Sequence, residues 1–127
     1  MKKKILIVLA DYYKDISLNL LKSAVKEIKK SYNFKTISVP GVFEIPVTIS
    51  KNIKKYDAFI ALGCVIKGQT PHFDFISKAA TDHIMKISVE SKKPVGNGII
   101  TCLNMNQALK RMHKGKEASK AIISVLS

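Results

Sequence analysis

The segment ALGCVIKGQTPHFD, residues 61–74, combines an apolar run, a glycine-containing turn and the start of a helix. The apolar run is continuous, which is typical of a strand covered on both faces in a parallel sheet. Gly68 interrupts the run, and Pro71 is compatible with the first turn of a new helix. A buried strand followed directly by a helix is the repeating unit of an α/β protein, so this segment predicts that fold class.

Strands and helices alternate outward from this segment over the whole chain. We predict strands over residues 5–10, 33–39, 58–64 and 94–101. We predict a first helix capped by Asp15 or Ser17, followed by helices over residues 43–53, 72–89, 105–112 and 116–125. In the longest helix, inward positions are expected at residues 75–76, 79–80, 84 and 87. The order β-α-β-α-β-α-β-α-α predicts a parallel sheet between two layers of helices.

Size and composition favour a single globular domain spanning residues 1–127, with 46% hydrophobic residues. No apolar run is long enough to cross a bilayer, and Asp11 follows the short run at residues 5–10 without a cleavage pattern. We therefore expect no membrane association and a cytoplasmic location. Cys64 and Cys102 are too few for a disulfide scaffold and lack metal-ligand spacing, so we expect free thiols and no metal site.

The formal net charge of +13 indicates attraction to anions. The lysines are spread along the chain rather than gathered on one helix with interleaved aromatic residues, so we expect no nucleic-acid partner. Arg111 is the one arginine beside 21 lysines. A planar guanidinium binds phosphate with two parallel hydrogen bonds, which makes Arg111 a candidate phosphate ligand. The presence of a single arginine by chance is an equally good explanation.

The carboxyl ends of the predicted strands carry the other candidate functional residues, since ligands of parallel α/β sheets bind at that edge. The turn at residues 68–70 offers N–H groups and a hydroxyl to an anion, although an ordinary helix cap has a similar sequence. His72 can transfer protons near neutral pH. Glu44 suits either a helix amino end or a substrate hydroxyl. Tyr12 suits either a flat ring or a cover for the sheet end.

Several segments resemble the 6,7-dimethyl-8-ribityllumazine synthase family. They are VPGVFEIP at residues 39–46, LGCVIKGQTPHFD at 62–74, PVGNGIIT at 94–101, QALKR at 107–111 and KGKEA at 114–118. The resemblance covers nearly the whole chain. It implies a flavodoxin-like three-layer sandwich with a four-stranded parallel sheet. It also implies a homo-oligomer built from pentamers, alone or packed into a shell.

The resemblance implies a reaction between two small-molecule substrates, 5-amino-6-(D-ribitylamino)uracil and 3,4-dihydroxy-2-butanone 4-phosphate. This is the penultimate step of riboflavin synthesis, and it implies no metal or organic cofactor. His72 corresponds to the proposed proton donor. The residues expected to bind the ribitylaminouracil are Tyr12, Val42, Phe43, Glu44, Cys64, Val65, Ile66 and Asn97. Those expected to hold the butanone phosphate are Gln69, Thr70 and Arg111.

Three positions depart from the residues usual in that family. Asn97 stands where many members have phenylalanine, which replaces a stacking surface by an amide. Tyr13 replaces an asparagine, and Lys67 replaces an arginine, which keeps the charge but not the planar geometry. These departures leave a lumazine-binding paralogue with weak catalysis as an alternative.

Two alternatives come from other functional classes. A flavodoxin-like regulatory module needs acidic residues at the strand ends, and the third strand ends in Gly63-Cys64 without a carboxylate. A basic nucleic-acid-binding protein would bind DNA or RNA tightly, with strong dependence on salt.

For the enzyme, few of the expected contacts can meet at one rim of one chain, so we expect active sites between subunits.

Overall fold

The computed structural model describes residues 3–68 and 72–126, and within them it contains a single sheet of four parallel strands. The strands are β1 (Lys4–Ala10), β2 (Asn33–Val39), β3 (Ala58–Ile66) and β4 (Val95–Cys102), in the spatial order β2-β1-β3-β4. The helices are α1 (Lys14–Ile28), α2 (Ile45–Lys51), α3 (His72–Ser91), α4 (Met105–Leu109) and α5 (Lys114–Leu126), and a 3-10 turn at Val42–Glu44 precedes α2. The predicted α/β class and element order are confirmed.

The sheet is buried on both faces, as the continuous apolar strands predict. Alternate side chains of a strand point to opposite faces. In β1, Ile5, Ile7 and Leu9 join the core beneath α1 and α5. Leu6, Val8 and Ala10 join the core beneath α2 and α3. The result is a three-layer sandwich whose central strands β1 and β3 are covered from both sides.

Two glycines in β4 let α5 and a neighbouring strand approach the backbone closely. A Cβ atom at Gly96 would lie 2.4 Å from the Ala118 carbonyl oxygen of α5. A Cβ atom at Gly98 would lie 2.4 Å from the Leu62 side chain of β3. Real Cβ atoms do not approach other atoms so closely, so a side chain at Gly96 would displace the backbone of α5, whereas one at Gly98 would require the Leu62 side chain to shift.

Helix α1 begins differently from the prediction that Asp15 or Ser17 caps it. The residue before the helix is Tyr13, and its side chain makes no capping hydrogen bond. Ser17 is fully buried, and its hydroxyl donates to the Ala10 carbonyl oxygen at 2.6 Å. Asp15 lies exposed in the first turn, where a carboxylate suits the positive end of the helix dipole. The serine instead connects the start of α1 to the end of β1 by this hydrogen bond.

Helix α3 packs on the sheet through a narrower face than the periodicity predicts. Ile76, Ala80 and Ile84 are buried, whereas Phe75 is 69% exposed and Ala79 is also exposed in the single chain. The reason is that α3 lies beside the short helix α2, which leaves the flank of α3 uncovered. No helix among residues 3–68 and 72–126 is long and apolar enough to cross a membrane.

Candidate active site

A cavity of about 290 Å³ opens at the carboxyl ends of β1 and β3, and we call it the strand-end cavity. The chain reaches it from four places: the β1–α1 loop, the 3-10 turn, the end of β3 and the start of α3. Most of the predicted site residues line it together, namely Tyr12, Val42, Phe43, Cys64, Val65, Ile66 and His72. A cavity at the carboxyl edge of a parallel sheet is the usual position of a ligand in this fold class.

Two aromatic rings stand at the mouth of this cavity. Tyr12 is 74% exposed and Phe43 is 71% exposed in the single chain. The Tyr12 ring is supported by an edge-on contact with the Tyr13 ring, with centroids 4.9 Å apart. An exposed, supported ring can stack on a flat heterocycle with little loss of side-chain entropy.

The wall of the cavity is apolar and includes a thiol that does not act as a nucleophile. Burial, followed by the neighbouring Cys102, raises the pKa of the Cys64 thiol to about 12. Since only the thiolate is strongly nucleophilic, the protonated Cys64 serves as a small wall residue. Both cysteines are free and buried, as predicted.

His72 is the first residue of α3 and lies at the rim of the strand-end cavity, with its side chain exposed. Its position places a group capable of proton transfer at the mouth of the cavity.

Glu44 lies next to the strand-end cavity but lines a different depression, which we call the helix groove. This groove of about 560 Å³ runs between α2 and α3 and shares Phe43 with the strand-end cavity. The carboxylate of Glu44 lies over Gly41, where Glu44 Oε1 would be 3.4 Å from an added Cβ atom. The side chain is thus close enough to the cavity mouth to reach hydroxyl groups that extend from it.

Asn97 and Arg111 are brought together, but away from the other site residues. They line an edge cavity of about 470 Å³ on β4, the outermost strand of the sheet on that side. Arg111 Nη1 donates to the Thr101 carbonyl oxygen at 3.2 Å, which holds the guanidinium at the carboxyl end of β4. The edge cavity and the strand-end cavity have no lining residue in common.

The Asn97 side chain is already engaged with the edge of the sheet. Its Oδ1 atom accepts a hydrogen bond from the Ile99 N–H at 3.0 Å. An edge strand exposes unpaired N–H groups, and this contact satisfies one of them. The amide therefore covers the sheet edge as well as lining the cavity.

Gln69 and Thr70, the predicted phosphate ligands, lie outside the described residues. The chain is described up to Lys67 and Gly68, both exposed at the end of β3, and again from His72. The Lys67 N–H donates to the Cys102 carbonyl oxygen at 2.9 Å, which continues the β3–β4 pairing to the start of this turn.

Some residues that line these cavities were not among the predicted site residues. Gly41 and Ile76 join the strand-end cavity, and so does Tyr13, which the sequence marked only as a departure from the family. Burial, followed by Cys64 and Tyr12, raises the pKa of the Tyr13 hydroxyl, so it remains a neutral hydrogen-bonding group. His113 and Lys114 join Arg111 in the edge cavity. Their closeness in sequence to Arg111 was the only available signal.

In residues 3–68 and 72–126, no group of three or more His, Cys, Asp or Glu side chains is arranged to hold a metal ion.

Comparison with known proteins gives a consistent result over the whole chain. Residues 2–127 match the family model described as 6,7-dimethyl-8-ribityllumazine synthase. A protein of that name from Corynebacterium kroppenstedtii is 38% identical over 128 residues, covering 96% of this chain and 80% of the relative. One from Bartonella tribocorum is 38% identical over 138 residues, covering 100% of this chain and 91% of the relative. A protein named 6,7-dimethyl-8-ribityllumazine synthase 1 from Rhodopseudomonas palustris is 40% identical over 136 residues, covering 97% of this chain and 83% of the relative.

Proposed function

This chain belongs to the 6,7-dimethyl-8-ribityllumazine synthase family, and we propose that it carries out that synthesis in an active site shared between two subunits. The enzyme condenses 5-amino-6-(D-ribitylamino)uracil with 3,4-dihydroxy-2-butanone 4-phosphate to give the lumazine, inorganic phosphate and water. The reaction is the penultimate step of riboflavin biosynthesis.

The strand-end cavity is the single observation that best supports this site. It gathers an exposed ring, an apolar wall and a histidine, which suit a flat pyrimidine that must react at one amino group. We assign the ring face to Tyr12 and the wall to residues 64–66. Val42, Phe43 and Glu44 lie where the ribityl chain would leave the cavity.

Catalysis in this arrangement depends mainly on the orientation of the two substrates relative to each other. An amine and a ketone condense without covalent help once they are held in contact, so positioning supplies much of the rate. The amine attacks the ketone carbonyl and water leaves, which forms an imine. Phosphate is then eliminated, which leaves an enol that becomes a ketone. The ribitylamino nitrogen attacks this ketone, and loss of a second water closes the ring. His72 gives and takes the protons of these steps at the rim of the cavity.

The butanone phosphate requires a cation, and the described residues that line the strand-end cavity include no lysine or arginine. We assign this role to Arg111, together with Gln69 and Thr70. Because Arg111 and Asn97 line the edge cavity, a second subunit must bring its edge cavity against the first subunit's strand-end cavity. Contacts of this head-to-tail kind close into rings, which supports the pentamer that the resemblance implies.

The exposed apolar side chains support the same assembly. Phe43, Val47, Phe75, Met85 and Val89 are each more than half exposed along α2, α3 and the turn before them. Of these, Phe43 and Val47 line the helix groove. An adjacent subunit that covered the groove would remove these two side chains from water and bring the two halves of the site together.

Two further assignments are part of this proposal. We treat residues 1–127 as one catalytic domain, which the single sheet of the described residues supports. We place the enzyme in the cytoplasm, which the two free cysteines support because reducing compartments keep thiols unpaired.

The decisive experiment is to mix the purified protein with both substrates and follow the fluorescence of the lumazine product together with phosphate release. We expect both products to appear in equal amounts. A protein that binds lumazine but forms none from the two substrates would be the weakly catalytic paralogue instead.

A further inference from the structure

Pairs of lysines precede all four strands of the sheet. They lie at residues 3–4, 29–30, 54–55 and 92–93, each within a few residues of the start of β1, β2, β3 and β4 in turn. The pairs are far apart in sequence. Because the strands are parallel, their amino ends share one edge, so the fold gathers the pairs on the side of the sheet opposite the active site.

A pocket of about 470 Å³ lies at this amino edge, and we call it the amino-edge pocket. Its wall contains Lys4, Lys35 and Lys55 together with the rings of Phe34 and Tyr56. It lies where the edge strand β2 and its neighbour β1 begin, with Lys4 paired to Asn33.

The three ammonium groups of this pocket have no acidic partner among residues 3–68 and 72–126, since none of them forms an ion pair there. Asp57 follows Tyr56 directly, but its Oδ2 atom accepts a hydrogen bond from the Lys4 backbone N–H at 2.7 Å. The carboxylate is thus held by the main chain rather than by a lysine side chain. By formal charge, three lysines stand beside one carboxylate, so the surroundings of the pocket carry a net positive charge.

The two rings are held in place by the core while remaining partly exposed. Phe34 packs against the core beneath α1 and α5. Tyr56 packs against the opposite core and meets the Phe59 ring edge-on, with centroids 6.2 Å apart. Fixed, half-buried rings beside cations are a combination that binds flat heterocycles carrying phosphate.

We propose that the amino-edge pocket binds a phosphate monoester of a flat heterocycle, such as a nucleoside 5′-phosphate. The lysines contact the phosphate, and the ring of the ligand lies against Phe34 or Tyr56. The volume is within the range of small-molecule sites. This site is separate from the catalytic one, and it does not depend on the proposed function.

Titration calorimetry of the purified oligomer with adenosine 5′-monophosphate tests the proposal, with adenosine and inorganic phosphate as reference ligands. The variant Lys35→Ala/Lys55→Ala removes two of the pocket's charges. The matched control Lys22→Ala/Lys26→Ala removes the same charge from the exposed face of α1.

We expect the first variant to bind the nucleotide about tenfold more weakly or worse, because each lysine contributes a charge-assisted hydrogen bond. We expect the control to bind as the parent does, and both variants to form lumazine at the parental rate.

Four results would overturn the proposal. The first two are no measurable binding of the nucleotide, and binding of adenosine as tight as that of the nucleotide. The third is that the control variant weakens nucleotide binding as much as the pocket variant does. The fourth is that Arg111→Ala loses nucleotide binding while Lys35→Ala/Lys55→Ala retains it fully. The last result would assign the nucleotide to the catalytic phosphate site.

Discussion

Arg111 lies on the exposed surface at the carboxyl end of β4, where the Thr101 carbonyl oxygen holds its guanidinium. We predict that Arg111→Ala raises the KM for the butanone phosphate about 10–100-fold, since it removes a charged hydrogen-bond donor from the phosphate. We expect a smaller change in kcat. Steady-state kinetics with each substrate varied in turn measures both constants. The matched control is Lys110→Ala, which removes an equal charge from the next exposed residue. Unchanged affinity in Arg111→Ala would contradict the phosphate assignment.

His72 is expected to assist the reaction without being indispensable, because orientation supplies most of the rate. We predict that His72→Ala and His72→Gln each lower the single-turnover rate by about 10²–10⁴-fold at most and leave measurable activity. Stopped-flow fluorescence of the product at a fixed pH measures the single-turnover rate. A parental rate in both variants would remove His72 from the mechanism.

Lys92 is the one non-glycine residue with a positive φ angle among the described residues, with φ of 61° directly after α3. This left-handed position after a helix favours glycine, because a Cβ atom is strained there. We predict that Lys92→Gly stabilises the protein by about 1 kcal/mol and raises Tm by several degrees. Calorimetry at a fixed protein concentration measures the shift. Lys92→Ala removes the same charge but keeps the strain, so an equal gain in that control would refute the explanation.

At the scale of elements, the position of α5 depends on close approach between backbones. Gly115 at the start of α5 lies against α1, where an added Cβ atom would be 2.1 Å from the Leu20 carbonyl oxygen. The Ser119 hydroxyl donates to the Ala24 carbonyl oxygen at 2.8 Å, deeper in the same contact. Since α5 follows directly on Arg111, these contacts also fix the position of the edge cavity.

The contact between β4 and α5 can be tested with a single methyl group. We predict that Gly96→Ala destabilises the protein by about 1–3 kcal/mol, because the added Cβ atom would overlap the Ala118 carbonyl of α5. Gly68→Ala is the matched control, since no atom lies within 4 Å of a Cβ atom added there. Thermal unfolding of both variants gives the comparison. Equal stability of the two would mean that α5 can move aside at no cost.

At the scale of the whole molecule, the division of the site between two cavities predicts complementation between impaired subunits. In a ring formed from equal amounts of His72→Ala and Arg111→Ala subunits, roughly one site in four combines an intact histidine with an intact arginine from the neighbour. We therefore expect co-refolded mixtures, assayed with the butanone phosphate well below the KM of Arg111→Ala, to be several-fold more active than either variant alone. The control is the double variant His72→Ala/Arg111→Ala mixed with parental subunits at the same ratio. If mixing restores nothing beyond the sum of the separate activities, both residues act within one subunit.

The sequence by itself determined the fold class, the order of the elements and the burial of the central strands β1 and β3 on both faces. These follow from local patterns: continuous apolar strands, helical periodicity, and glycine or proline at the breaks. It also indicated most residues of the strand-end cavity, because parallel strands end at one edge and the residues that follow them must meet there. The cap of α1 was predicted wrongly, and the predicted inward face of α3 was right at Ile76, Ala80 and Ile84 but too wide, since Phe75 and Ala79 are exposed. In each case a tertiary contact, Ser17 with Ala10 or the short neighbour α2, outweighed the local pattern.

The tertiary structure alone decided what depends on distances between segments that are remote in sequence. It placed Asn97 and Arg111 on an outer strand, in a cavity separate from the one that contains His72. It also gathered lysine pairs that are scattered along the chain at a single edge of the sheet. The chemical groups of a side chain are known from the sequence. Which side chains lie next to each other depends on strand order and helix length, and only the folded structure specifies that order and those lengths.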